Sequence, residues 1–175
     1  MKNRTCGGCT ACCLTHEIYE IKKPAGKLCP HCIPGVGCKN YDHRPKDCSK
    51  FRCDWLMCCT DEQYYRPDRI GVVLDSYTGT PQNKILFKKI LYIREARAGA
   101  LNTPAIWEIT MEALDHRICV LQLHLSGKKV LFLPAGANLS EKARRLIAKE
   151  GFEITPYPIL MAPVNGGQHS CPEIR

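Results

Sequence analysis

The sequence predicts an α+β protein: a small, irregular, cysteine-rich and metal-stabilised N-terminal module followed by a β-β-α-β-β-α domain. Three observations predict it. Eleven of the 13 cysteines lie between Cys6 and Cys59. That stretch is punctuated by glycine and proline and is poor in large aliphatics, whereas the remainder has the aliphatic content of an ordinary core. Past residue 66 the apolar positions recur with strand and helix periods in turn. At 175 residues the chain has room for both parts. The boundaries read as 1–66 for the cysteine-rich part, 67–163 for the α+β domain and 164–175 for a loosely ordered tail.

Each element follows from local pattern. Gly7, Gly8, Pro24, Gly26, Pro30, Pro34, Gly35, Gly37 and Pro45 leave only short stretches of residues 1–59 free to be helical. Such a segment buries too little apolar surface to order itself. A bound metal, worth on the order of 10 kcal/mol per structural zinc, would supply the difference. Residues 70–74 form an apolar, β-branched run that suits a strand, 75–83 read as a hairpin loop, and 84–95 read as a second strand. Residues 104–116 show helical spacing, with Ile106, Ile109, Ala113 and Leu114 on one face and Pro104 near the start. In 118–125, Cys119, Leu121, Leu123 and Leu125 point one way, and Gln122 and His124 the other. Ser126-Gly127 turns the chain into a further strand over 129–133. Ser140 caps a helix over 141–150, whose stripe is Ala143, Leu146 and Ile147 and which Gly151 ends. Residues 152–155 make a last short strand. Local hairpins favour an α+β layer over a doubly wound parallel sheet.

No apolar stretch follows the basic start Lys2-Asn3-Arg4, so no secretory signal is expected. The thiols then meet a reducing cytoplasm, where disulfide frameworks are rare and metal ligation is the better account of dense cysteine. No run of about 18 apolar residues occurs, so no membrane-spanning helix is expected. The formal charge of +8 counts each cysteine as neutral; eight thiolates holding two zinc ions would leave about +4. Much of the basicity is then local compensation, and nucleic acid is not expected as a partner.

The opening run Cys6-Gly7-Gly8-Cys9-Thr10-Ala11-Cys12-Cys13 chains two C-x-x-C turns, each able to bring two sulfurs to one tetrahedral ion. Adjacent residues do not readily aim both side chains at one small ion. Cys12 and Cys13 are therefore expected to serve different centres, or one of them to bridge. Later thiols come at Cys29, in Cys29-Pro30-His31-Cys32, and at Cys38, Cys48 and Cys53.

These motifs carry a resemblance. CxxCxxCC at 6–13, a lone cysteine at 29 and GCxxYxxRPxxCxxFxC over 37–53 resemble the bacterial CxxCxxCC family of zinc- or iron-chelating domains (YkgJ type). The resemblance covers about a third of the chain. It implies eight metal ligands: Cys6, Cys9, Cys12, Cys13, Cys29, Cys38, Cys48 and Cys53. Cys32, Cys58 and Cys59 lie outside the pattern. Eight thiols fit two four-sulfur zinc sites, or one 4Fe–4S cluster with a neighbour. Three cysteines at two-residue spacing with a distant Cys29-Pro30 resemble a ferredoxin run, but paired C-x-x-C turns suit zinc as well, and the two metals stand open. Flagellin lysine methylases contain a related cysteine module associated with an iron–sulfur cluster, an analogy on the iron side only.

The functional reading is a metal-binding accessory that handles metal or passes electrons, with the metal ion and an unidentified protein as partners. A purely structural metal staple is its plainest rival. An iron–sulfur-dependent group-transfer enzyme of the protein methylase kind, and a zinc-stabilised binding module, are the alternatives. No glycine-rich nucleotide loop or nucleophile–base pair stands out after residue 66. His31, between two cysteines, is a candidate ligand, whereas His16 and His43 read as surface residues. Arg44 reads as a counter-charge to sulfur. Tyr41, Phe51 and Trp55 read as a mini-core around the metal, and Cys119 as a buried core thiol. Lys142, Arg144, Arg145 and Lys149 read as the solvated face of the last helix.

Overall fold

The structure, a computed structural model of the chain, describes residues 4–57, 65–78 and 89–157. The expected tail, the 79–88 part of the first hairpin, and Cys58, Cys59 and Cys171 lie outside the described residues.

Residues 4–57 hold little regular structure, as their glycine and proline content dictates. A one-turn helix α1 (Ala11–Thr15) is followed by a hairpin of two-residue strands, β1 (Cys32–Ile33) and β2 (Gly37–Cys38), and by helix α2 (Lys46–Lys50). In the hairpin Cys32 lies opposite Cys38.

The second part is a five-stranded sheet. Its strands, β3 (Val72–Thr78), β4 (Lys89–Glu95), β5 (Cys119–Leu123), β6 (Lys129–Leu133) and β7 (Phe152–Pro156), lie side by side in sequence order. The expected order of elements is present, with the mixed α+β composition. The hairpins do not account for the whole sheet, however: β4–β5 and β6–β7 are parallel. Parallel neighbours need a crossover, and helices α4 (Pro104–Asp115) and α5 (Glu141–Glu150) supply one each. Helix α4 packs Ile106, Ala113 and Leu114 with Val120, Val130 and Phe132 of the sheet. Helix α5 packs Ile147 with Cys119, Leu121, Leu131 and Leu133, the alternate set on the same strands. The period of two therefore separates two covered faces. Gln122, on the α4 side, is 4% exposed, and its Nε2 donates to Thr110 Oγ1 at 3.2 Å, which satisfies a polar group in the core.

Helix ends match their chemistry. Ser140 Oγ accepts from Ala143 N at 3.2 Å, and Gly151 closes α5 at φ +69°. Lys142, Arg144, Arg145 and Lys149 are exposed, as expected of a solvated face. Cys119 is buried, and burial pushes its thiol up to about 12.

The first strand departs from expectation. Residues 67–70 make a single helical turn, α3 (Pro67–Ile70), ended by Gly71 at φ +78°. The strand then starts at Val72 and runs through Asp75, Ser76 and Tyr77, which local composition assigned to a loop. Pairing decides this: Asp75 lies opposite Tyr92 and Tyr77 opposite Ile90. Tertiary pairing overrides weak strand propensity at such positions.

Candidate metal centre

The cysteine-rich segment packs on edge strand β3. Asp54 N donates to Leu74 O at 2.9 Å, and Ser76 N and Oγ donate to the Asp54 carboxylate at 2.9 and 2.7 Å. Cys53 and Trp55 pack with Val73. The sheet is thereby a floor on which the thiol-bearing loops are laid.

The first C-x-x-C turn closes with Cys9 N donating to Cys6 O at 2.9 Å. Gly7 sits at φ +51°. At Gly8 a Cβ would press into the carbonyl of Gly35 at the tip of the β1–β2 turn, so the glycine lets two backbones meet. Cys29-Pro30-His31-Cys32 repeats the turn, with Cys32 N donating to Cys29 O at 2.9 Å. Cys29 N also donates to Cys13 O at 3.0 Å, tying the second turn to α1.

The thiols fall into two groups. Cys53 has Cys6 and Cys9 as its thiol neighbours, with Arg66 beside them: Arg66 Nη2 donates to Cys6 O at 3.2 Å. The indole of Trp55 lies near both the Arg4 and Arg66 guanidinium groups, at 5.4 and 5.3 Å from its ring centre. In the second group Cys29 and Cys32 pack with Cys13 and Cys48 under Ile18 and Ile21. The thiols of Cys12 and Cys32 act electrostatically on that of Cys13. Cys38 is an electrostatic neighbour of Cys48.

Each group has a cation. Lys23 is 4% exposed; its Nζ donates to the carbonyls of Leu14, at 3.2 Å, and His16. The thiols that act on it electrostatically are Cys29, Cys13, Cys48 and Cys12. Arg66 lies beside Cys6 and Cys9 and is ion-paired with Asp68, Nε to Oδ1 at 2.7 Å.

Several of these thiols are raised by their surroundings. The neighbouring Cys12 thiol, then burial, raises Cys13; burial, then the Cys13 thiol, pushes Cys32 up to about 11. Burial pushes Cys53 up to about 11 and raises Cys9 and Cys48 as well. A metal would therefore have to displace protons from them. The donor chemistry fits zinc or an iron–sulfur centre. Among the described residues, no three His, Cys, Asp or Glu side chains are set out as a ready-made ligand shell. The ten described cysteines are free thiols.

Several single-residue readings shift. Tyr41 is 50% exposed and lies under the Arg44 guanidinium at 3.7 Å, outside the mini-core that Trp55 and Phe51 form with Cys53. Arg44 acts electrostatically on Cys48, opposing only in part the rise that burial causes. His16 is not a surface residue. Its Nδ1 meets Thr15 Oγ1 at 2.9 Å and its Nε2 meets Asp75 Oδ2 at 3.0 Å, while Arg94 Nε donates to the same oxygen at 2.9 Å. Sequence reasoning missed this buried cluster; the signal available was a lone acid, Asp75, directly following Val72-Val73-Leu74.

No helix among the described residues is long and apolar enough to cross a membrane. No family model, no curated protein and no solved structure matches this chain.

Proposed function

We propose that this chain is a metal-binding protein of the reducing cytoplasm that chelates zinc, about two per chain, or an iron–sulfur cluster through Cys6, Cys9, Cys12, Cys13, Cys29, Cys38, Cys48 and Cys53. It serves as a metal-handling or electron-transfer accessory, in keeping with the resemblance to the CxxCxxCC family. The observation that carries the reading is the gathering of these thiols into two groups, each beside a cation. Lys23 is buried among thiols with carbonyls as its hydrogen-bond partners. An ammonium so placed is best satisfied when the sulfurs beside it are anionic, which is their state when they hold a metal. When bound, the metal would fix the loops or carry an electron; the chain's part is to supply sulfur, exclude water with Ile18 and Trp55, and balance charge through Lys23 and Arg66.

The test is anaerobic purification followed by an optical spectrum and elemental analysis of one sample. Brown protein with iron and acid-labile sulfide selects the cluster, and colourless protein with about two zinc per chain selects zinc. Metal-free protein with a native fold refutes the reading.

A further inference from the structure

Cys32 stands outside the eight-thiol pattern, yet it occupies the middle of the second group. We propose that Cys32 completes a four-sulfur metal site with Cys13, Cys29 and Cys48, and that Lys23 is the counter-ion of that site. The inference rests on the metal-binding reading above and deepens it.

Four observations converge. Cys29 and Cys32 are both buried, and Cys13 and Cys48 pack directly against them. The Cys29–Cys32 turn has the same backbone closure as the Cys6–Cys9 turn, an N–H···O bond of 2.9 Å from the second cysteine to the first. A turn that pairs two sulfurs in this way is the half-site from which tetrahedral thiolate centres are built. Cys29 N donates to Cys13 O at 3.0 Å, which ties the Cys29–Cys32 turn to the helix that carries Cys13. Lastly, Lys23 is buried, its Nζ donates to the carbonyls of Leu14 and His16 beside Cys13, and Cys29, Cys13 and Cys48 act on it electrostatically. Cys38, directly opposite Cys32 in the hairpin, is half-exposed and lies outside the packed set.

The chemistry balances without a redox partner. A divalent ion and four thiols give a tetrathiolate centre of charge −2 and release four protons to solvent. Lys23 offsets one unit of that charge. Among the described residues these sulfurs are not set out as a ready-made ligand shell, so metal entry and local rearrangement go together.

The experiment is an anaerobic cobalt(II) titration of the full chain, comparing wild type, Cys32→Ser and Cys38→Ser by their sulfur-to-cobalt charge-transfer bands. The expected result is that Cys32→Ser loses one equivalent of bound cobalt, or holds it on the order of tenfold or more weakly, with fewer sulfurs per ion. A wild type that takes up no cobalt overturns the metal reading itself. A wild type that binds while Cys32→Ser matches it in stoichiometry and spectrum overturns only the ligand assignment. Thiol alkylation of the wild type, read by mass spectrometry with metal and after chelation, covers the case in which the variant fails to fold. Cys32 should gain reactivity on chelation together with Cys13, Cys29 and Cys48; equal reactivity in both states overturns the assignment.

Discussion

Replacing Asp75 with alanine should destabilise the protein by about 3 kcal/mol, and the number follows from what its carboxylate holds. Asp75 is 2% exposed, and its Oδ2 takes hydrogen bonds from Arg94 Nε at 2.9 Å and His16 Nε2 at 3.0 Å. Removing one partner of a buried ion pair costs about 3–5 kcal/mol because the other charge is left unpaired. The Arg94 side chain keeps 17% of its exposure, so water recovers part of the loss and the low end applies. The carboxylate also joins β3 to β4 through Arg94 and to α1 through His16, so the damage spreads across the junction between the cysteine loops and the sheet. For a chain of this length each kcal/mol moves Tm by about 2–4 °C, giving a drop of about 6–12 °C. The assay is urea and thermal unfolding of Asp75→Ala, His16→Ala and the double variant, with metal content matched. Residues sharing a hydrogen bond should show a coupling of about 1 kcal/mol. A loss under about 0.5 kcal/mol for Asp75→Ala, or zero coupling, would refute the argument.

Three more outcomes are expected. Burial holds the His16 imidazole below its usual range, the Asp75 hydrogen bond opposing this only in part, so the folded state prefers the neutral ring. Its stabilising effect is therefore complete above the unfolded value of about 6.5 and is lost as pH falls from there through the folded value; His16→Gln should flatten the stability–pH slope in that window, and an unchanged slope counts against it. Gly8→Ala should loosen the first C-x-x-C turn from the Gly35 carbonyl and speed metal release to a chromogenic chelator, with the sheet's circular dichroism preserved. Chelation should open the cysteine loops, since a structural metal contributes on the order of 10 kcal/mol to so small a core; limited proteolysis should then cut within 6–57 while 89–157 resists, and a digest indifferent to chelator would contradict it.

Legibility varied with how local each cause was. The α5 helix could be read completely, because Ser140, the Ala143–Ile147 spacing and Gly151 act within one turn of where they sit. Cys119 could be read as a core thiol from its apolar neighbours. The start of the 75–83 loop could not, since Asp75 and Ser76 are poor strand formers and become strand only by pairing with β4, by the Ser76 N–H donated to Asp54 and by the Arg94 bond to Asp75. His16 looked like a surface residue because its partner lies 59 positions away.

By itself the sequence determined that the thiols crowd into one third of the chain, that this third has no aliphatic core of its own, and that an α+β domain follows. Composition and short-range spacing suffice for that, because turn geometry and amphipathic period are properties of neighbours along the chain. Only the tertiary structure decided that Cys32 lies among Cys13, Cys29 and Cys48, that Lys23 is buried beside them, and that β3 is the surface on which the loops rest. Those are distances between segments far apart in sequence. The chain's folding sets them, and no local pattern records them.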